Sequence, residues 1–522
     1  MKKRVVFWLV MLALPIGLAM VVLPPAWRAV EAVLRPEVIA WIATHLSDEE
    51  RQAIRAQVSN VGAGMFQQIP DASVGRVARS DWRTVYKEAE VLTNNAGMRS
   101  KTPYLPKQEG VFRIICLGDS FVFGAAGKEE DRFCDQMQAF YTEKNVRVNG
   151  KRIETLALGL PSWNTVQEAD YLSARLDEYA PDVVILLTVQ NDITDSAGVT
   201  ENGELTTEYS TDHRVNGSAV FSNMAGVPFG VSTFTALSSD LCHTCRDYWQ
   251  AAFEHVRRLV LLQHERQGQV LLSVLDHPGK HKALFIERFK QYAQTSGAPY
   301  TVAQYWHGPK TRLPHDGHPN RLGHYLLTLF YIHSLSELGW VPVPADALPT
   351  EEDMQAVNLN PALDPVATAA AEGAFIKEHL ATEINFSQLD ADRIGGMLGG
   401  FFPEHQGQIA EDEAPWASVR AGFLLRKPEP ADAAVLQLTL ALPLRQPLYP
   451  LPLTVSVNGQ VLMTQSYEYN AAGTTVSLSV PVPANVMAGY PVVEVLLETP
   501  RQVSSLEDHR MKSYQLLSAA IR

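Results

Sequence analysis

Residues 112–120 read FRIICLGDS, an apolar strand-like run that stops on Gly118-Asp119-Ser120. Working outward, similar short runs recur at IETLAL (153–158), VVILLTV (183–189), VLLSVLD (270–276) and YTVAQ (300–304). Between them the pattern turns helical near 131–145, 165–179, 246–266 and 281–296, and again after Pro319. Continuous apolar strands separated by helices predict a parallel sheet covered on both faces, a three-layer α/β/α domain.

Ligands of such sheets bind at the C-terminal strand ends. Four polar groups fall there: Gly118-Asp119-Ser120 with Gly124, Gly159, Asn191-Asp192, and the loop His315-Asp316-Gly317-His318-Pro319-Asn320 before the last helix. A serine hydroxyl is a weak nucleophile until a base takes its proton, and a neutral His318 supplies that base. Asp316 is placed to orient the other ring nitrogen and stabilise the imidazolium. The backbone N–H groups of Ser120 and Gly159 and the side-chain amide of Asn191 are the candidate oxyanion donors. Singly, each has a bland reading: Ser120 as a helix cap, Asn191 and Asp192 as turn caps, His318 as a loop residue. Their joint order favours the catalytic one.

These blocks resemble the SGNH/GDSL hydrolase superfamily: GDSFVFG, ALGLPSWNTVQE with Gly159, Asn191-Asp192 and DGHPN, with a similar entry, NNAGMRSKTPYLPKQEGVFRIICLGDSF. The resemblance covers about residues 94–335. It implies a flavodoxin-like domain with Ser120 as nucleophile, His318 as base, Asp316 completing the triad and Gly159 and Asn191 in the oxyanion hole. Asp119 would shape the serine turn. Two blocks depart from the family pattern: Val189-Gln190-Asn191-Asp192 stands where Gly-x-Asn-Asp is usual, so a larger residue replaces the glycine, and Asp316-Gly317-His318 has one residue fewer than Asp-x-x-His. No Gly-x-Ser-x-Gly elbow of the α/β-hydrolase type occurs. Arg99 and Arg113 read as structural. His315 and His324 flank the site and read as surface or packing residues, while His277 ends its strand near it.

The rest of the 522 residues divides around that domain. Lys2-Lys3-Arg4 precede an uncharged run from Val5 to Leu23, long enough to span a bilayer core. Length and basic flank favour an uncleaved anchor over a cleaved signal peptide, with the body exported, periplasmic or extracellular. Residues 24–93 read as a helical membrane-proximal segment, with Ser47 and Glu50 at capping-box spacing. Residues 341–384 read as a linker, with Pro342, Pro344, Pro349, Pro361 and Pro365. Residues 385–522 carry alternating or apolar runs of strand length and an Asn458-Gly459 hairpin signal, predicting an all-β, jelly-roll-like sandwich. This half loosely resembles β modules found beside polysaccharide-handling enzymes. Trp416, Phe401, Phe402 and Tyr467 are candidates to stack on sugars, although for any one of them a place in the sandwich core is the better reading.

Composition sets outer bounds. Charged residues at 19% and a mean hydropathy of −0.08 exclude a disordered chain and a polytopic membrane protein. The net charge of −13 gives no overall reason to bind nucleic acid. Residues 351–522 hold 10 Lys and Arg against 20 Asp and Glu, a net −10. If this module binds glycan, its charge favours neutral sugars. Four cysteines are too few for a disulfide-built scaffold. Cys242 and Cys245 are candidates for a local disulfide, Cys116 reads as packing, and Cys134 as free.

The expectation is an exported, membrane-anchored serine esterase acting on acyl, above all acetyl, esters of an envelope or secreted glycan. An O-acetyltransferase using the same site, a lipase and a non-catalytic glycan-binding protein are the alternatives. The chemistry requires neither a metal nor a cofactor.

Overall fold

The computed structural model describes residues 64–522 apart from 72, 88, 194–197, 200–204, 207–213, 216–217, 220–239, 277–281, 305–309, 314–316, 349–356, 387–396, 403–415, 430–432, 443–447, 471–472 and 501–513. The expected anchor and the Ser47 cap lie outside these residues. No helix among the described residues is long and apolar enough to cross a membrane.

Two antiparallel hairpins come first: β1 (Phe66–Gln68) with β2 (Arg76–Ala78), and β3 (Arg83–Tyr86) with β4 (Ala89–Leu92). The helical reading of residues 24–93 is therefore wrong from residue 64 onward. Turn chemistry overrides the helical pattern: the Asp71 carboxylate accepts from the backbone N–H groups of Ser73 and Val74, and Gly75, Asp81 and Lys87 adopt positive φ.

The central sheet follows. It is built from β5 (Val111–Gly118), β6 (Arg147–Val148), β7 (Lys151–Gly159), β8 (Val183–Thr188), β9 (Gln269–Asp276) and β10 (Tyr300–Gln304), in the order β10-β9-β8-β5-β7-β6. All neighbours are parallel except the two-residue β6. Every residue of β8 is buried, as a strand covered on both faces requires. The connecting helices are α1 (Ser120–Phe123), α2 (Phe133–Glu143), α3 (Thr165–Ser173), α4 (Leu176–Tyr179), α5 (His243–Glu265), α6 (Lys282–Gln294) and α7 (Arg321–Glu337). One face of the sheet packs with α3, α5, α6 and the N-terminal hairpins around Trp163, Trp249 and Phe253. The opposite face packs with α2 and α7 around Phe133, Tyr331 and Leu335.

Of the five strands in the parallel set, β5 is first in sequence and lies between the second and third. The chain thus leaves β5 to opposite sides, and β5 and β8 border the topological switch point.

The segment 341–384 is not linker throughout. Helix α8 (Pro365–His379) lies inside it, with Asp364 accepting from Ala367 N at 2.9 Å and Pro365 opening the first turn. The proline that reads as a breaker is here the preferred first residue of a helix.

The C-terminal module is all-β, as expected. Its strands are β11 (Glu383–Asn385), β12 (Met397–Phe402), β13 (Trp416–Arg426), β14 (Ala433–Leu442), β15 (Leu451–Val457), β16 (Gln460–Tyr467), β17 (Thr474–Pro483), β18 (Val492–Glu498) and β19 (Tyr514–Ile521). They form one continuous antiparallel sheet in the order β16-β15-β18-β13-β19-β14-β17, with β11 on β19 and β12 on β13. Alternate residues of β14 and β17, such as Leu436, Leu438, Val480 and Val482, point into one apolar core. Asn458 and Gly459 both take positive φ in the β15–β16 turn, the conformation a two-residue hairpin favours.

This module is fastened to the α/β domain at the N-terminus of α5. The buried Glu494 carboxylate accepts from Thr244 N at 2.9 Å and from Thr244 Oγ1. Asn458 Oδ1 accepts from Glu494 N at 2.8 Å, and Gly459 lies against the His243 ring. Burial raises the Glu494 pKa, and the Thr244 hydrogen bonds oppose that rise. Glu494→Ala leaves the buried Thr244 donors without an acceptor, so a loss of about 2 kcal/mol is expected in urea unfolding. A change below about 0.5 kcal/mol would show that the clamp contributes little.

Cys242 and Cys245 are disulfide-bonded, at the N-cap and in the first turn of α5. Cys116 and Cys134 are bonded too, with Cα atoms 6.2 Å apart, which corrects both earlier readings. The pairing was hidden because β5 and α2, 18 residues apart at these cysteines, meet only once the sheet is folded.

Candidate active site

The turn that carries Ser120 is built from its neighbours. At the end of β5 the fully buried Asp119 caps α1: its Oδ1 accepts from Phe121 N at 2.8 Å. Its Oδ2 accepts from Ser120 Oγ at 3.0 Å, and Asn191 Nδ2 lies 3.5 Å from the same oxygen. Helix α1 is one turn long and ends at Gly124 in the left-handed region. The buried Arg99 then binds its C-terminal end, donating to the carbonyls of Phe123 (3.0 Å), Gly124 (2.5 Å) and Gly127 (2.6 Å), and to Glu90 O on β4. Burial, then the Arg132 charge, lowers the Arg99 pKa to about 9. Its role is structural, as the sequence indicates: it ties the N-terminal hairpins to the serine turn. Arg113 likewise joins Glu154, Tyr179 O and Leu105 O below the sheet.

His318 arrives from the far end of the domain. It precedes Pro319 and the N-cap Asn320, whose Oδ1 accepts from Gly323 N at 3.0 Å to start α7. Leu313 N donates to His318 O, which fixes the loop backbone. His318 Nε2 stands 2.7 Å from Ser120 Oγ, and its ring lies 5.0 Å from that of Phe121. Asn191 is carried by a single 3₁₀ turn, Gln190–Ile193, after β8; there Asp192 Oδ2 accepts from Val189 N at 2.7 Å. Gly159 ends β7 in register with Gly118, directly beneath α1.

The fold therefore brings together Ser120, Asp119, His318, Gly159 and Asn191, from four separate parts of the chain, at the switch point. Asp316, His315 and His277 lie outside the described residues. His324 is buried and stacks on Phe133, and burial followed by the Arg132 charge pulls its pKa down to about 3, so it belongs to the core. Tyr467 is in the apolar core of the β module. Trp416 is half-buried at the start of β13, and the side chains of Phe401 and Phe402 lie outside the described residues.

One buried group near the site was not singled out. Glu168 in α3 is fully buried. It follows a reciprocal capping box of Asn164 and Gln167, and all of Thr165–Leu172 is buried with it, which no spacing in the sequence marks.

Asp119 and Glu168 both have raised pKa values, through burial first; for Glu168 the Asp119 charge adds to the rise. For Asp119 the Phe121 hydrogen bond and the His318 charge oppose it. Chemically, the cluster offers a hydroxyl in contact with an imidazole, beside amide donors at the end of a sheet. That set is suited to acyl transfer through serine.

No protein-family model matches the chain, and no curated protein matches it. Among solved structures, it is similar to a two-domain esterase active on acetylated mannans, co-crystallised with mannopentaose: 12% identity, 79% of this chain and 90% of that one, TM-score 0.29. It is similar to TesA at 12% identity, over 43% of this chain and 99% of that one, TM-score 0.29. It is similar also to an acetyl xylan esterase, Est2A, from the rumen bacterium Butyrivibrio proteoclasticus at 11% identity, over 45% and 66%, TM-score 0.26.

Proposed function

We propose that this chain is a serine esterase of the SGNH type that removes acyl groups, above all acetyl, from a glycan. The observation that carries the reading is the 2.7 Å contact between His318 Nε2 and Ser120 Oγ at the switch point of the sheet. With the His318 proton on Nδ1, Nε2 accepts the serine proton as Oγ attacks the ester carbonyl. The oxyanion that forms receives the N–H groups of Ser120 and Gly159 and the amide of Asn191. His318 then returns the proton to the departing sugar oxygen, leaving acetyl on Ser120. Water, activated by the same imidazole, releases acetate. Asp316 would hold the Nδ1 proton and stabilise the imidazolium. Asp119 Oδ2, 3.0 Å from Ser120 Oγ, offers the hydroxyl a second acceptor and keeps the turn in place between cycles.

Export and membrane anchoring rest on the apolar run Val5–Leu23 behind three basic residues. The two disulfides support an oxidising compartment. The glycan substrate rests on the sequence resemblance of the β module to modules beside polysaccharide-handling enzymes.

The test is acetate release from partially acetylated mannan and xylan, with and without an added acetyl donor and glycan acceptor, read by mass spectrometry. Free acetate from wild type and none from Ser120→Ala is expected. Acetyl appearing on the added glycan instead would make the enzyme an O-acetyltransferase. Absence of both, with no labelling of Ser120 by a phosphonate, would overturn the enzyme reading and favour a glycan-binding protein.

A further inference from the structure

Glu168 stands out among the buried polar groups. Its side chain has no exposure, and neither carboxyl oxygen has a hydrogen-bond partner. Such a group is costly when charged, and acid chains buried this way persist as the neutral acid. Its charged neighbour is Asp119, the carboxylate beneath the nucleophile.

The two carboxyls differ in what surrounds them. Asp119 faces donors only: Phe121 N, Ser120 Oγ and, at 3.5 Å, Asn191 Nδ2. An ionised carboxylate is acceptor-only, so this setting fits the charged form. Glu168 has no donor, so its setting fits the neutral form. Other ionisable groups near α3 are engaged elsewhere. Asp192, on the turn after β8, accepts from Val189 N, while His255 of α5 is 2.5 Å from Asp170 on α3 itself. The first turn of α3 donates from Gln167 Nε2 to Val74 O in the N-terminal segment.

We propose that Glu168 is a positioning residue for the serine turn: held as the neutral acid, it lets Asp119 carry the single negative charge of the cluster, and its ionisation switches the turn off. Loss of the Glu168 proton to solvent would leave two negative charges in the buried pair, and their repulsion would push the Asp119 carboxylate away from Phe121 N and Ser120 Oγ. The kinetic part of this inference rests on the esterase reading, while the protonation of Glu168 does not.

The sign follows from the raised folded value. Glu168 stabilises the fold below the ordinary glutamate range and loses that contribution as pH rises toward its folded pKa. Two variants test this: Glu168→Gln, a neutral isostere, and Glu168→Met, an apolar replacement that removes the orphaned oxygens. The first readout is the ratio of kcat/KM at alkaline pH to that at neutral pH, within each protein. Wild type is expected to fall on the alkaline side by tenfold or more, and both variants to hold a flat ratio. The second readout is melting temperature against pH, in which wild type loses stability across the range and the variants lose less. The third is the infrared carbonyl band of a protonated carboxylic acid at neutral pH, present in wild type and missing in Glu168→Gln. An identical alkaline limb in all three proteins, or no acid band assignable to Glu168, overturns the proposal. Turnover that persists in Ser120→Ala sinks the esterase reading instead and leaves the melting and infrared results to decide on Glu168 alone.

Discussion

Ser120→Ala is expected to lower kcat/KM toward acetyl esters by at least ~10⁴-fold while leaving the melting temperature within a few degrees of wild type. The size follows from what the hydroxyl does. In the proposed mechanism it is the atom that forms the acyl bond, and the amide donors can stabilise an oxyanion only after it has attacked. The stability part follows from the surroundings. Ser120 is half-buried, and its Oγ contacts His318 Nε2 and Asp119 Oδ2, whereas the turn itself is closed by the Asp119 carboxylate on Phe121 N and by Arg99 on the carbonyls beyond. None of the latter bonds uses the serine side chain. His318→Ala should lose almost as much, and the double variant little more, because the two groups act as one unit. Stopped-flow turnover of p-nitrophenyl acetate by the three variants checks this. A double variant that multiplies the two single losses would mean that serine and histidine work independently, and would break the proposed proton transfer.

The parallel domain was legible because its information is local. Each strand of the main sheet is a continuous apolar run, and β5, β7, β8, β9 and β10 fall on FRIICL, IETLAL, VVILLTV, VLLSVLD and YTVAQ with ends moved by no more than two residues. The groups at the strand ends were legible for the same reason. What failed depended on contacts between distant segments or on turn chemistry. Residues 64–92 fall in the stretch read as helical from its earlier runs, yet an Asx turn at Asp71 and left-handed positions at Gly75, Asp81 and Lys87 fold them into hairpins. The Cys116–Cys134 bond joins a strand to the helix beside it, a relation that no spacing records. Glu168 was overlooked because a glutamate on a helix ordinarily faces water, whereas every residue of α3 from Thr165 to Leu172 is buried once the chain folds.

Gly159→Ala carries the second large effect, and it reaches the chemistry through backbone rather than through a lost side chain. Gly159 lies directly under α1. A Cβ there would stand 2.4 Å from Phe123 N, 2.7 Å from Asp119 O and 2.8 Å from Val122 Cβ. Phe123 N and Asp119 O are the donor and acceptor of the 3.0 Å bond that closes α1, so the added methyl would intrude on that hydrogen bond. Neither atom belongs to a flexible side chain, and relief must come from moving the helix off β7. A shift of about 1 Å displaces Ser120 from His318 and misaligns the Gly159 N–H proposed for the oxyanion; misplacement on that scale costs ~10²-fold in rate. Overpacking adds a stability loss of about 1–3 kcal/mol. The loss should fall on kcat, because the atoms displaced are those that meet the transition state. Gly127→Ala is the control: its Cβ would meet nothing closer than Gly124 O at 3.5 Å, an ordinary contact, so turnover should stay within about twofold of wild type. If Gly159→Ala proves as silent as that control, α1 has room that its backbone contacts deny, and Gly159 would lose both its steric and its oxyanion assignment.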